Sequence, residues 1–595
     1  MRYVAYKRIF REIDALTTLQ LVATVLLFSI FLIYPLVSVV GGAFWEDGFT
    51  LYHLKSVFKD PELFRTPANW DTTLLKNTED YVVVGLFDFG AIFNSLFIAL
   101  FTALFSTIIG VIFAYIMARY DFKLKTFFKA AILIPLIVPP FVGALGVLQF
   151  IGKNGLINTI FFDYLNILPK KIWITGIPAI ILVETLHFYT LVYLNVFSSL
   201  VNIDPSLEEQ AENVGAKGFF KLRTITLPLA MPGIEAGAIL TFILALEDLG
   251  TPIIFSQGDY SYPARHTLTL YILNHWAPQF IGQYNLKVMA LSVILLAIAL
   301  VGFVIVRKYI SLRRYAMLTK GSIWQPLMRD ATKTKTFLIL TFTISLLLLA
   351  LMPHIGVIYM SLTRGGHAGI TLFHYKNLIV NPHIYTPIKN SLVYAMESVF
   401  VIIILGTSVA YIISRKKIPG RLILDVLSTM PIAIPGIVIG IGMFIVFYGT
   451  PIFPMTSPAM ILVASYVIRK IPFAVRAAYA GLQQTHEALE EASLNLGASR
   501  IRTLWKITLP LISMSIVAGA MLSFVYVISE VSTSILLGAV NPDLAPMTWK
   551  LKDLFFHADF NEAAVLGVLL MTIQAVSIIA TNYLLKNRAE VMTGL

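Results

Sequence analysis

The sequence predicts an all-α polytopic membrane protein whose twelve transmembrane helices form two parallel six-helix repeats. Three observations carry that expectation. The 595 residues are 57% hydrophobic and 13% charged, with a mean hydropathy of +0.79, which excludes a water-soluble globule. Apolar runs of spanning length recur along the whole chain. Residues 207–229, LEEQAENVGAKGFFKLRTITLPL, return 282 positions later as LEEASLNLGASRIRTLWKITLPL at 489–511, with 12 of 23 positions identical and no gap.

The apolar runs fall at about 19–42, 92–117, 127–150, 174–200, 229–255 and 285–306, then at 336–362, 390–413, 422–448, 457–480, 511–538 and 563–585. Runs of this length without strict alternation are helices, because lipid offers no partner to open backbone groups. The first run stands behind Arg2, Lys7, Arg8 and Arg11 and is too long for a signal-peptide core, so no cleavable leader is expected. Cysteine is absent, which excludes disulfides, thiolate chemistry and cysteine-ligated metals.

Orientation follows from the loop charges. The net charge of +12 would suggest nucleic acid in a soluble protein, but here the positive-inside rule accounts for it and no nucleic-acid partner is expected. The stretch 307–335 carries Arg307, Lys308, Arg313, Arg314, Lys320, Arg329, Lys333 and Lys335 against the single acid Asp330. The next loop, 363–388, has only Arg364 and Lys376. The division expected is a first half at 1–306, a basic cytoplasmic linker at 307–335 and a second half at 336–595, with both termini and both polar loops inside.

The duplication extends beyond those loops. Asn94, Ser95, Leu96, Gly110, Ala114, Tyr115, Arg119, Pro135, Pro139 and Gly146 match Asn390, Ser391, Leu392, Gly406, Ala410, Tyr411, Arg415, Pro431, Pro435 and Gly442, all offset by 296. The later offset of 282 puts 14 extra residues in the first half, placed in the outer loop around 151–172. Parallel repeats imply a pseudo-twofold axis along the membrane normal with a pathway between the halves. The first outer loop, 43–90, holds eight acids (Glu46, Asp47, Asp60, Glu62, Asp71, Glu79, Asp80, Asp88) against four bases, a net charge of −4. It is either a solvated face or a seat for an external partner.

In the first polar loop, Asp204 and Pro205 read as a helix start and Gly215 as a left-handed stop. Leu207, Ala211 and Val214 share one face of this short amphipathic helix, and Glu208, Glu209 and Glu212 give it charge. The second copy keeps Leu489, Glu490, Glu491, Gly497, Ile507, Leu509 and Pro510 at the same intervals, with Thr485 as its N-cap. A helix resting on the lipid surface would explain the periodicity but not the duplication.

The series Glu209, Gln210, Ala211, Gly215, Ile225, Leu227, Pro228, and again Glu491, Ala492, Ser493, Gly497, Ile507, Leu509, Pro510, resembles the EAA loop of binding-protein-dependent ABC importer permeases. Gln210 and Ser493 depart mildly from that pattern. The resemblance implies the type I permease fold and a cytoplasmic-membrane location. It implies that each loop, with Glu208 and Glu490 in it, is a coupling helix seated on one of two cytoplasmic ABC ATPase subunits. An extracytoplasmic solute-binding protein would deliver the cargo. The chain has no GxxxxGK[ST] loop, and GKN at 152–154 fails that pattern. ATP and magnesium are therefore expected on the partner ATPase, no cofactor on this chain, and this subunit is expected to be non-catalytic. PPFVGAL at 139–145, EDLGTP at 247–252, IPGIVIGIG at 434–442 and SEVSTSILL at 529–537, together with the fused double permease, look like the ferric-iron group. Related fused permeases carry thiamine, polyamines or phosphonates. The alternative of another class is an ion-coupled secondary transporter, which also uses twelve helices in parallel halves.

The candidate pathway residues are Glu247, Asp248, Thr251, Glu530 and Thr533. Asp248 and Glu530 occupy matching positions, about 28 Å along the fifth span of each half at 1.5 Å per residue. They either form an electronegative ring for a cation, where hard oxygens suit ferric iron, or satisfy amides freed where the helix breaks, as at Pro252. No metal-ligand set is assigned. Glu184 and His187 align with Tyr466 and Arg469, and Arg469, Lys470 and Arg476 are expected to snorkel or to pair with acids. The pairs Pro139–Pro140 and Pro435–Gly436 are hinges or simply tolerated breaks.

Overall fold

The computed structural model describes residues 14–276, 285–312, 329–330, 332–364 and 369–593. The basic residues of the amino-terminal segment, and Arg313, Arg314 and Lys320 of the linker, lie outside them. Asp14 opens the first helix, α1 (Ala15–Phe44), by accepting from the Thr17 amide at 2.9 Å. A π-turn over Ser29–Ile33 precedes Pro35, whose ring has no amide for the regular ladder. The strands β1 (Leu75–Asn77) and β2 (Tyr81–Val84) follow in the loop after α1. Then come α2 (Ala91–Arg119), α3 (Pro140–Ile151), β3 (Lys171–Ile174), α4 (Gly176–Val201), α5 (Pro205–Asn213), α6 (Leu227–Glu247), α7 (Gly250–Phe255) and α8 (Leu286–Leu312). The second half supplies α9 (Lys333–Ser361), α10 (Pro382–Arg415), α11 (Gly436–Phe447), α12 (Ala459–Gln484), α13 (Glu487–Asn495), α14 (Ser513–Ile528), α15 (Ser532–Gly538) and α16 (Phe560–Thr593).

Among the described residues nine helices are long and apolar enough to cross a membrane, or eleven if each of two bent pairs is one span. The bends are 107° between Arg421–Ala433 and α11, and 71° between Arg500–Leu511 and α14. The first follows Pro435, which sits where the chain leaves a 3-10 turn. Helix α12 has 26 residues but carries Arg469, Lys470 and Arg476, so the expected twelve is reached only by counting it as well.

The chain divides into two compact units that do not follow the sequence halves. A central unit holds Leu54–Gln279 and Ile294–Leu372, and a terminal unit holds Met1–His53, Phe280–Val293 and Phe373–Leu595. Each half thus gives its first helix to the unit built mostly from the other half. In the central unit α9 lies on α3, where the Pro353 carbonyl occupies the space a Cβ would need at Gly146. In the terminal unit α1 lies on α11, and a Cβ at Gly442 would stand 2.6 Å from the Pro35 carbonyl oxygen. Lipid gives helices no hydrophobic drive to associate, so backbone approach through small residues carries such contacts. The same device joins α2 to α4 at Gly110, against Val192 and Tyr193, and α10 to α12 at Gly406, against Ala474 and Val475.

The proline-broken third span leaves carbonyls without helical partners, and side chains satisfy them. In the central unit Ile132 O accepts from the Tyr189 hydroxyl at 3.0 Å, Pro135 O from His187 Nδ1 at 2.9 Å and Ile134 O from His354 Nε2 at 3.3 Å.

The segment between α1 and α2 adds a small sheet that an all-helical reading omits. β2 pairs antiparallel with β1 and parallel with β3, which closes the stretch expected to hold the extra residues. Of the eight acids, Glu46, Asp47, Glu62, Glu79 and Asp80 are exposed, whereas Asp88 is fully buried. It takes Arg65 Nη2 at 2.9 Å, His266 Nδ1 at 2.7 Å, Asn94 Nδ2 at 2.7 Å and the Gly90 amide at 3.0 Å. Burial pushes its carboxyl upward, but the His266 bond and charge and the amides outweigh that and hold it below the usual carboxylate range.

Candidate functional site

Both polar loops fold alike. Asp204 caps α5 by accepting from the Ser206 amide at 2.9 Å, with Pro205 in the first turn. Gly215 ends α5 at φ +94° and Gly497 ends α13 at φ +86°, a backbone region that strains any side chain with a Cβ. Nested bonds close each turn: Ala216 N to Ala211 O at 2.9 Å with Gly215 N to Glu212 O at 3.0 Å, and Ala498 N to Ser493 O at 3.1 Å with Gly497 N to Leu494 O at 3.0 Å. Each loop then enters its next span through a π-turn, Leu222–Thr226 or Leu504–Thr508. Pro228 and Pro510 explain the wider turn, since proline donates no amide and its ring displaces the carbonyl four residues back. Ile225, Leu227, Ile507 and Leu509 are half-buried at this entry, and the two prolines are exposed.

Thr485 does not cap α13. Its hydroxyl donates to Leu482 O at 3.0 Å and accepts from Arg415 Nη2 at 2.8 Å, so His486 takes the cap position with no side-chain bond.

The faces of α5 also differ from expectation. Ala211 is buried, but Val214 is 87% exposed, and its counterpart Leu496 is 89% exposed. Phe219 and the matching Ile501 are exposed beside them. What turns inward is Glu208, only 1% exposed, which accepts from Arg119 Nη2 at 3.1 Å and from the Thr226 hydroxyl at 2.7 Å. Glu490 likewise accepts from Arg415 Nε at 3.0 Å and from the Tyr411 hydroxyl at 3.5 Å. Glu209, Glu491 and Ala492 face solvent. One carboxylate of each helix is thus held inward by an arginine, while Val214, Phe219, Leu496 and Ile501 are left outward. Arg119 and Arg415 are not among the expected site residues, although a basic residue in the last turn of the same span in both copies is a legible signal.

The breaks in the fifth spans hold the pathway candidates. Between α6 and α7, Asp248 is extended and accepts from the amides of Gly250 at 3.3 Å and Thr251 at 2.9 Å; Glu247 precedes it, half-buried. Between α14 and α15, Glu530 accepts from the Thr533 amide and hydroxyl, both at 3.5 Å. The units differ here. Glu530 is also paired with Arg469, and with Lys470 at 2.6 Å, both on α12. In the central unit the position of Arg469 is taken by His187, and Glu184 instead accepts from the Thr102 hydroxyl at 3.1 Å. Arg476 pairs with Asp425 at 3.2 Å. Among the described residues no three His, Cys, Asp or Glu side chains stand close enough to hold a metal ion.

The sequence profile of the binding-protein-dependent transport system inner membrane component matches residues 106–314 and 402–589. The chain is 25% identical to the ferric transport system permease protein FbpB of Actinobacillus pleuropneumoniae, over 76% of this chain and 65% of that protein. It is 26% identical to the putative ferric transport system permease protein FbpB 1 of Haemophilus influenzae, over 68% of this chain and 63% of that protein. The chain thus spans less than two thirds of the length of either. A molybdate/tungstate transport system permease protein, WtpB of Methanocaldococcus jannaschii, is 28% identical over 39% of this chain and 92% of its own length.

Proposed function

Because this chain belongs to the family of binding-protein-dependent transport system inner membrane components, we propose that it is the membrane subunit of an ATP-driven importer. Its loops at α5 and α13 each seat one ATPase subunit. The observation that supports this best is the duplicated loop, with the same left-handed stop, the same π-turn and the same outward pair, Val214 with Phe219 and Leu496 with Ile501. ATP and magnesium are handled by the separate ATPase chains, and an extracytoplasmic solute-binding protein delivers the cargo. The chain lies in the cytoplasmic membrane with both termini in the cytoplasm.

The cargo on this reading is ferric iron, supported by the two ferric permease relatives that align with most of the chain. An oxyanion is the second reading, favoured by the molybdate/tungstate relatives that align with a shorter part. Reconstitution with the ATPase and binding protein in proteoliposomes separates them. The expected result is ferric-iron uptake that requires ATP on the cytoplasmic side and survives an uncoupler. Uptake that persists without ATP and collapses with the uncoupler would overturn the importer assignment. Uptake of molybdate but not iron would overturn the cargo alone.

A further inference from the structure

The loop that follows the fourth span is joined by the chain only to that span and to the fifth. In both units it is also tied, through a side-chain pair, to the second span. We propose that Arg119 and Arg415 are positioning residues for energy coupling: each latches its coupling helix, through Glu208 or Glu490, to the inner end of α2 or α10. Movement of the loop is then passed into the second span as well as the fifth. This rests on the reading of the loops as ATPase seats.

Arg119 stands in the last turn of α2, where a cation also meets the negative end of the helix dipole. Its Nη2 lies 3.1 Å from Glu208 Oε1, with both side chains buried. Arg415 stands in the last turn of α10, with Nε 3.0 Å from Glu490 Oε1. The arginines are offset by 296 residues and the glutamates by 282, so the pair survives a change of 14 residues in the chain between its members. Two partners on different registers that still meet are not explained by local helix chemistry. The second span packs along the fourth in each unit, so a latched loop acts on two neighbouring helices at once.

The two latches are wired differently. Among the described residues Arg119 Nε and Nη1 and Glu208 Oε2 have no hydrogen-bond partner, so this pair hangs on one bond and on Thr226. Arg415 Nη2 also donates to Leu482 O at 2.9 Å, Thr485 O at 2.9 Å and Thr485 Oγ1 at 2.8 Å, and its Nη1 lies 3.7 Å from Glu487. A carboxylate at 119 would meet no carbonyl now held by the arginine, whereas one at 415 would face two. Inversion costs the central latch only its helix-end dipole contributions, whereas the terminal latch also loses two carbonyl bonds, so the central pair is the one expected to tolerate inversion.

The test uses the full chain assembled with its ATPase and binding protein, and reads three things: ATPase affinity for the permease, ATP hydrolysis and solute moved per ATP. Arg119→Gln is expected to keep ATPase affinity and hydrolysis while lowering solute moved per ATP about tenfold. Arg119→Lys should recover most of that ratio. Arg119→Glu with Glu208→Arg should recover it too, while Arg415→Glu with Glu490→Arg should stay uncoupled. A structural role alone would lower assembly and hydrolysis together and leave the ratio unchanged. A wild-type ratio in Arg119→Gln, or no recovery in the inverted central pair while it still binds the ATPase, would overturn the latch. Failure of the unmodified permease to bind any ATPase would instead overturn the reading beneath it.

Discussion

Replacing Glu530 by Gln separates the two helix breaks. Glu530 is 4% exposed and holds Lys470 at 2.6 Å together with Arg469. Neutralising it takes the shared carboxylate out of this buried ion cluster. Removing one partner of a buried ion pair costs about 3–5 kcal/mol. At Asp248 the carboxylate accepts two amides, at 3.3 and 2.9 Å, and among the described residues no Lys, Arg or His forms a salt bridge with it. An Asn oxygen still accepts from those amides, so Asp248→Asn costs about 1 kcal/mol. At about 0.8 °C per kcal/mol for a chain of 595 residues, Glu530→Gln lowers the unfolding midpoint by roughly 2–4 °C and Asp248→Asn by about 1 °C or less. The assay is the fraction of monodisperse protein left after heating in one detergent. Glu530→Leu with Arg469→Met and Lys470→Met should recover most of the loss, because apolar groups in place of a buried ion cluster are often neutral or better. Equal midpoints for Glu530→Gln and Asp248→Asn, or no recovery in the triple variant, would refute the reasoning.

Gly146→Val forces side-chain atoms into the Pro353 carbonyl and should cost about 1–3 kcal/mol, whereas Gly41→Ala, with open space around its Cβ, should be silent; limited proteolysis of the linker region and the thermal midpoint report both. Gly215→Arg and Gly497→Arg each strain the left-handed stop by about 1–2 kcal/mol, but among the described residues nothing lies within 4 Å of either Cβ position, so both should leave the protein inserted yet uncouple uptake from ATP hydrolysis; normal uptake in both would contradict docking at these loops. The low folded-state value of Asp88 means that its contribution is present above the ordinary carboxylate pKa of about 3.9 and is lost as pH falls through the depressed value. Asp88→Asn should be less stable than wild type at pH 7 and should flatten the acid limb of the stability curve, read as thermal midpoint against pH.

What the sequence made legible was local. Asp204, Pro205, Gly215 and Gly497 do what their chemistry dictates within a few residues, and most of the long apolar runs are single helices, whereas those at 127–150, 229–255, 422–448 and 511–538 are broken. What it concealed depends on distant partners. Glu208 looks like one of three surface acids until Arg119, 89 positions away, draws it inward. Val214 faces outward at the end of the same helix, and no helical period could announce it. Strand β3 looks like part of an insertion because its partner β2 lies in another loop. The charges of α12 blur a span whose meaning comes from Glu530 on a different helix.

The exchange of first helices has a consequence for biogenesis. Pro35 and Gly442 are 407 positions apart, and Gly146 and Pro353 are 207 apart. The central unit gains its last helix as soon as α9 emerges, while α1, made before any of it, waits for α11 with its partner face bare. Long-range closure of this kind is slow and leaves apolar or unpaired surface exposed to wrong contacts. A chain cut between its halves would therefore yield two fragments each lacking a helix of its own compact unit. Co-expression of the fragments, rather than either alone, is the condition under which they should resist proteolysis.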